Sequence, residues 1–181
     1  MEYSIREVAK IIGSKSNLLH EDTITMLLTD SRTVSFPEQS LFFALRTKTN
    51  DGHKYIPELY KLRVRNFVVS EMPPSTDMYA DANFLLVKDP LRALQQLAAH
   101  HRKKFEIPVI GITGSNGKTI VKEFLYQLLH TEFNIVRSPR SFNSQLGGPL
   151  SGWQINPKHT LGIFEAGISQ PDEMERLQPI I

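Results

Sequence analysis

The chain has 181 residues and 20.6 kDa, and its 40% hydrophobic residues suffice for one ordinary domain or two small ones, which excludes a wholly disordered chain. Its 21 Lys and Arg against 19 Asp and Glu leave a formal charge of +2, too balanced for a nucleic-acid coat or a membrane-adsorbed protein, so any binding has to come from a local site. The absence of Cys excludes a disulfide framework, a thiolate nucleophile and a cysteine metal site. No apolar run approaches the roughly 20 residues of a membrane helix, and Met1-Glu2-Tyr3-Ser4 does not open a secretory signal, so the expectation is a soluble, cytoplasmic chain.

Ser4, Ile5, Arg6 and Glu7 have the spacing of a capping box. Ile5, Val8, Ile11 and Ile12 then recur at helical spacing, and Gly13 is placed to end that helix. The runs at 41–45, 67–69 and 84–87 are short, apolar and bounded by polar residues, as buried strands are; Tyr55, Ile56, Leu59 and Tyr60 suggest a helix between the first two. Asp89-Pro90 supplies an N-cap and a first helical proline for a helix running to about Lys104. Its last residues, His100, His101, Arg102, Lys103 and Lys104, read as a solvated helix end favoured by the macrodipole. This alternation predicts a small α/β domain over residues 1–105.

A second pattern starts at 106 and is still running at Ile180 and Ile181, which reads as an incomplete domain over residues 106–181. Residues 109–113 form a strand, and Ile120, Val121, Phe124, Leu125, Leu128 and Leu129 mark one face of a helix. Further strands are expected at 135–136 and 161–166, with a Pro- and Gly-containing helical stretch between them and a last helix from about Pro171. Trp153 and Met174 read as packing residues.

The chemistry lies between the strand at 109 and the helix at 120. Thr113, Gly114, Ser115, Asn116, Gly117, Lys118 and Thr119 follow an apolar strand and open an amphipathic helix, the order of a phosphate-binding loop. Glycines let successive N–H groups turn toward phosphate oxygens, and the helix N-terminus adds partial positive charge. Lys118 is the residue to neutralise β and γ phosphates of ATP, and Thr119 the hydroxyl to meet Mg²⁺. Ile112 stands where the general motif has its first glycine, and Gly114, two residues later, does that glycine's work. Such a loop does not by itself say which reaction follows.

The loop resembles the TGTNGKT of the Mur ligases, ATP-dependent amide-bond-forming enzymes of peptidoglycan synthesis. Asp30-Ser31-Arg32, the run 41–45 and Asp51-Gly52-His53 are similar to the series in the family's N-terminal, UDP-sugar-binding domain. Ser141-Phe142-Asn143 with Gly147 and Pro149, and Phe164-Glu165-Ala166-Gly167 leading to Glu173-Met174, resemble two segments of its central domain. Together they resemble the branch of the MurF type, which adds D-alanyl-D-alanine to UDP-N-acetylmuramoyl-tripeptide through an acyl phosphate. Thr47, Ser169-Gln170 and Asp172 depart from that branch's usual residues.

The resemblance implies an α/β fold with a P-loop, mostly parallel sheet, ATP and Mg²⁺ as cofactors, and the tripeptide precursor and D-alanyl-D-alanine as partners. It implies catalytic roles for Lys118, Glu165 and Asn143, with Thr119 and Glu165 on the metal. It also implies substrate contacts for Asp30, Ser31, Arg32, Ala44, Leu45, Asp51 and His53. Asp30, Asp51 and Asn143 are equally good turn formers, and Glu165 an ordinary strand-end carboxylate, so a structural role stays open for each. The family's C-terminal domain is not expected in this chain, nor is turnover by the chain alone. Another Mur branch, a folylpolyglutamate-synthetase-like ligase and a non-catalytic nucleotide- or precursor-binding module are the rival readings.

Overall fold

The computed structural model describes residues 1–181 apart from 140, 141, 143 and 169. It separates into two compact units, Met1–Leu94 and Gln95–Ile181, and the division falls inside a helix. Both units are α/β with parallel sheets.

The first unit begins with β1 (Tyr3–Ser4) and α1 (Ile5–Ile11), where the Ser4 side chain accepts from Glu7 N at 3.1 Å, the N-cap bond of the expected capping box. β2 (Thr23–Ile24) pairs antiparallel with β1. β3 (Met26–Leu28), β4 (Ser40–Phe43), β5 (Asn66–Val69) and β6 (Asn83–Leu86) form a parallel sheet in that order, with α2 (Ile56–Lys61) between β4 and β5. β2 and β3 were not anticipated, because two strands of two and three residues are too short to show a period. Strands covered on both faces read as continuous apolar runs, which is why β4 and β5 were visible. The core joins Leu28, Phe42, Leu59, Val64, Phe67 and Phe84, with the Phe67 and Phe84 rings stacked at 5.3 Å between centroids.

Helix α3 (Pro90–Arg102) is capped as expected: Asp89 Oδ1 accepts from Leu91 N at 2.9 Å and Arg92 N at 3.2 Å. Its end is solvated as predicted at Lys103 and Lys104, which are exposed, but not at His101. His101 is 1% exposed, its Nε2 lies 2.9 Å from Ile155 O, and its ring sits 4.6 Å from that of Trp153, which packs as expected. Burial pushes the His101 imidazole down to about 4. Adjacent helix residues diverge in direction, so His101 turns inward while Arg102 donates from Nη1 to Phe105 O at 2.6 Å and from Nη2 to Ile107 O at 3.1 Å.

The second unit carries β7 (Val109–Ile112), α4 (Lys118–Leu129), β8 (Ile135–Arg137), α5 (Gly147–Gly152), β9 (Leu161–Glu165) and α6 (Glu173–Leu177). Its sheet is parallel in the order β7-β9-β8, so the central strand is the last in sequence. The apolar face expected of α4 is split. Leu125 and Leu129 pack with Ile112 and Ile163, whereas Ile120 (62%), Val121, Phe124 and Leu128 (73%) are exposed. The face meeting the sheet is centred on Lys122, Leu125 and Leu129, three and four residues apart. Among the described residues, no helix is long and apolar enough to cross a membrane.

Candidate functional site

Register puts the C-terminal residues of β7 and β9 side by side, since Ile112 pairs with Glu165. Ligands of open parallel sheets bind outside the carboxyl ends of the strands. Here the segment leaving β7 bends through residues 113–117 into α4. Gly114 has φ 141° and Gly117 φ 78°, the latter left-handed at the N-cap of α4. Nothing lies within 4 Å of a Cβ built on Gly117, so glycine is required there by conformation and not by space. Gly117, the N-cap of α4, has no side chain with which to cap the first-turn N–H groups. Thr113, Gly114, Ser115, Asn116 and Gly117 are exposed, as an anion cradle requires. Lys118 is half-buried and arches back over the bend, donating from Nζ to Gly114 O at 2.6 Å.

Thr119 Oγ1 donates to Glu165 Oε2 at 3.1 Å, which brings together the two residues assigned to a metal. The Glu165 side chain is fully buried, and its Oε1 lies 2.9 Å from Lys122 Nζ, an ion pair between two groups of 0% exposure. The contact is charge to charge without hydrogen-bond geometry, and Oε1 accepts no hydrogen bond. Lys122 Nζ also donates to Ser138 O at 2.8 Å, and Ser138 Oγ accepts from Glu165 N at 3.1 Å. Lys122 and Ser138 were not singled out from the sequence. The signal for Lys122 was a charge three residues beyond Thr119, interrupting the apolar pattern of α4. Asn143 lies outside the described residues.

Two oxygen donors, a hydroxyl and a carboxylate, at the mouth of a phosphate-type loop are the hard ligands that Mg²⁺ takes beside substrate phosphates. The donor set therefore fits that ion.

The candidates of the first unit lie at the carboxyl ends of its parallel strands. Asp30, after β3, caps a short turn by accepting from Arg32 N at 3.0 Å and grips the Arg32 guanidinium, with Nη2 to Oδ2 at 2.6 Å. The Arg32 guanidinium holds the Asp30 carboxyl down at about 2. Ser31 belongs to the same turn. Beyond β4, Ala44 is fully buried and Leu45 half-buried.

Gly52 N donates to Leu45 O at 2.7 Å, and a Cβ on Gly52 would meet Leu45 N at 2.7 Å. Backbone contact of that closeness is what the glycine between Asp51 and His53 permits. Ser70 N donates to His53 Nε2 at 3.1 Å, which assigns the proton to Nδ1, 2.6 Å from Asp51 Oδ1. Arg46, another residue not anticipated, bridges Asp51 Oδ2 at 2.7 Å and Glu71 Oε1 at 2.6 Å. Burial opposes ionisation of Asp51, but hydrogen bonds from His53 and Arg46 outweigh it and hold the carboxyl below the usual range. Asp51, His53 and Glu71 are close enough to one another to share a metal ion, but Arg46 pairs with Asp51 Oδ2 and Glu71 Oε1, and Ser70 N donates to His53 Nε2. A cavity of about 600 Å³ lined by Leu19, Met72, Thr76, Tyr79, Phe84 and Leu86 contains none of these residues.

Comparison with known proteins gives the same pattern over both units. The profile of the Mur ligase middle domain matches residues 112–181, and that of the Mur ligase family, catalytic domain, matches residues 23–102. UDP-N-acetylmuramoyl-tripeptide--D-alanyl-D-alanine ligase of Treponema pallidum is 37% identical over 84% of this chain and 34% of its own length. The protein of that name from Bacillus subtilis is 28% identical over 96% of this chain and 38% of its own length. The chain thus spans little more than a third of the curated relatives it matches. A crystal structure of MurF from Acinetobacter baumannii superposes on 99% of this chain and 39% of its own, with a TM-score of 0.86 at 22% identity, and so shares the fold. MurF ligase of Thermotoga maritima in complex with ADP superposes on 86% of this chain and 35% of its own, with a TM-score of 0.73 at 27% identity.

Proposed function

This chain belongs to the Mur ligase family, and on that premise we propose that it forms the precursor-holding and phosphate-holding parts of an ATP-dependent ligase that adds D-alanyl-D-alanine to UDP-N-acetylmuramoyl-tripeptide. The observation that carries the reading is the exposed bend at 113–119 ending on Thr119, whose hydroxyl meets a strand-end carboxylate 3.1 Å away. The relatives' names supply the precursor and the dipeptide, and the ADP complex of the Thermotoga maritima protein supports an adenine nucleotide as ligand.

In this reading residues 106–181 hold ATP and residues 1–105 the UDP-linked precursor. The amides of residues 113–119 and the N-terminus of α4 bind the β and γ phosphates. Lys118 exchanges its hydrogen bond to Gly114 O for phosphate oxygens. Thr119 Oγ1 and Glu165 Oε2 would hold Mg²⁺, which would supply neutralisation of phosphate charge. Asn143 is assigned a contact to nucleotide or metal.

The terminal carboxylate of the tripeptide bonds to the γ phosphorus as the bond to ADP breaks. The dipeptide amine then bonds to the activated carbonyl carbon, phosphate leaves, and the amine proton goes to solvent. Lys118 and the loop amides act by holding negative charge where it gathers, an arrangement whose individual donors are worth about 3–4 kcal/mol. Asp30, Ser31, Arg32, Ala44, Leu45, Asp51 and His53 form the rim for the precursor, with the Arg32 guanidinium, 85% exposed in its side chain, available to a diphosphate. The cytoplasm, where ATP and UDP-linked sugars are made and used, is the proposed location.

The whole reaction is assigned to a polypeptide of the relatives' length. The test is phosphate release from ATP by that protein with the tripeptide precursor and D-alanyl-D-alanine supplied singly and together. Release is expected only with both, and Lys118→Ala should lower it by about 100-fold or more. Release that ignores either substrate, or survives in Lys118→Ala, overturns the assignment. ATP bound without any release points instead to a binding module.

A further inference from the structure

The phosphate-loop reading leaves Lys122, a fully buried charge of the second unit, without a role. Lys122 stands one turn beyond Thr119 on α4, so both side chains leave the same face. An ammonium with 0% exposure is costly to bury, and an apolar residue there would continue the packing of Leu125 and Leu129. Its partners explain the placement. Nζ faces Glu165 Oε1 at 2.9 Å, Ser138 O at 2.8 Å and Glu123 Oε1 at 3.5 Å, which ties α4 to the ends of β8 and β9.

We propose that Lys122 is a positioning residue for the metal–nucleotide complex: it takes up Oε1 of Glu165, so that the carboxylate presents Oε2 alone toward Thr119 and a divalent cation. Three anchors fix Glu165. Ser138 Oγ accepts from its backbone N at 3.1 Å, Lys122 faces Oε1, and Thr119 Oγ1 donates to Oε2. Only the last faces the phosphate loop. Groups that orient a metal ligand without touching the metal commonly change metal affinity by 10–100-fold. This inference rests on the proposed function, in that Thr119 and Glu165 are taken to hold Mg²⁺ with ATP.

The experiment is calorimetric titration of the whole chain with ATP, once in MgCl₂ and once in EDTA, read as the ratio of the two affinities. The unchanged chain should bind more tightly with Mg²⁺. Lys122→Gln keeps a donor for Ser138 O and loses the charge; it should lower the ratio by about 10-fold or more. Lys122→Arg should recover some of it. In a Glu165→Gln background, Lys122→Gln should leave the ratio where Glu165→Gln alone puts it, because Lys122 acts through Glu165. A merely structural role would scale both affinities together and leave the ratio untouched. An unchanged ratio in Lys122→Gln, or a further fall on the Glu165→Gln background, overturns the proposal. If the unchanged chain binds ATP equally with Mg²⁺ and EDTA, or not at all, the reading of Thr119 and Glu165 fails first and takes this inference with it.

Discussion

The first unit buries Asn66 and Asn83 at 0% exposure, whereas the second buries Lys122, Glu165 and His101. In the first, Asn83 Nδ2 donates to Asn66 Oδ1 at 2.9 Å and Asn66 Nδ2 to Asp22 Oδ2 at 2.7 Å, a ladder of amides joining β6 to β5 and on to Asp22. Ion pairs such as Asp30 with Arg32 and Arg46 with Glu71 stay at its surface, and among the described residues none identified in it joins two fully buried groups. Amides satisfied by protein partners ask for nothing further, while a buried carboxylate needs a counter-charge in every state of the molecule. The first unit thus reads as a rigid frame with its charges at the rim. The second keeps an ionic centre directly beneath its phosphate loop.

The most severe way to test that contrast is to remove one charge of the centre. Lys122→Ala leaves Glu165 buried and unpaired, and urea unfolding of the chain should show a loss of about 3–5 kcal/mol. The double replacement Lys122→Met with Glu165→Leu removes both charges and should regain most of that loss. If the double variant is as unstable as the single one, packing and not charge governs the site.

A smaller effect is expected from acid. His101 is held at about 4 against an ordinary 6.5, so the unfolded chain takes up its proton first as pH falls. The His101 contribution is complete above 6.5 and is lost on descending toward 4, by about 3 kcal/mol. His101→Phe should remove this slope from stability measured across that range. In the first unit the comparable weak point is backbone. Gly52→Ala drives a Cβ to 2.7 Å from Leu45 N and should cost about 1–3 kcal/mol, with the shift seen in thermal unfolding.

Legibility followed the same division between pattern and environment. β4, β5, β6 and β9 show in the sequence because buried parallel strands are nearly continuous apolar runs, and the phosphate loop shows because its glycines and Lys-Thr sit between a strand and a helix. Glu165 was visible as a carboxylate closing such a run. Lys122 was not, since a lysine inside Ile120-Val121-Lys122-Glu123 reads as solvent-facing until β8 and β9 are folded over it. His101 failed for the same reason, its partners Ile155 and Trp153 lying some fifty residues away. Asp51-Gly52 announced a turn, but the need for glycine comes from the approach of Leu45, which no local pattern encodes.

The mildest test belongs to the rim. The Asp30 carboxyl is held at about 2 by Arg32 against an ordinary 3.8, so the folded chain stays ionised where the unfolded chain has begun to protonate. Its contribution is therefore complete above 3.8 and disappears as pH falls through about 2. The Arg32 side chain is 85% exposed, and solvent and salt screen the pair, so Asp30→Asn should leave neutral-pH stability nearly unchanged and only flatten the acid limb of the unfolding curve. Raised salt should flatten the unmodified chain in the same way. A large loss for Asp30→Asn at neutral pH would mean that the rim matters to the fold no less than the ionic centre of the second unit, and the contrast between the units would not stand.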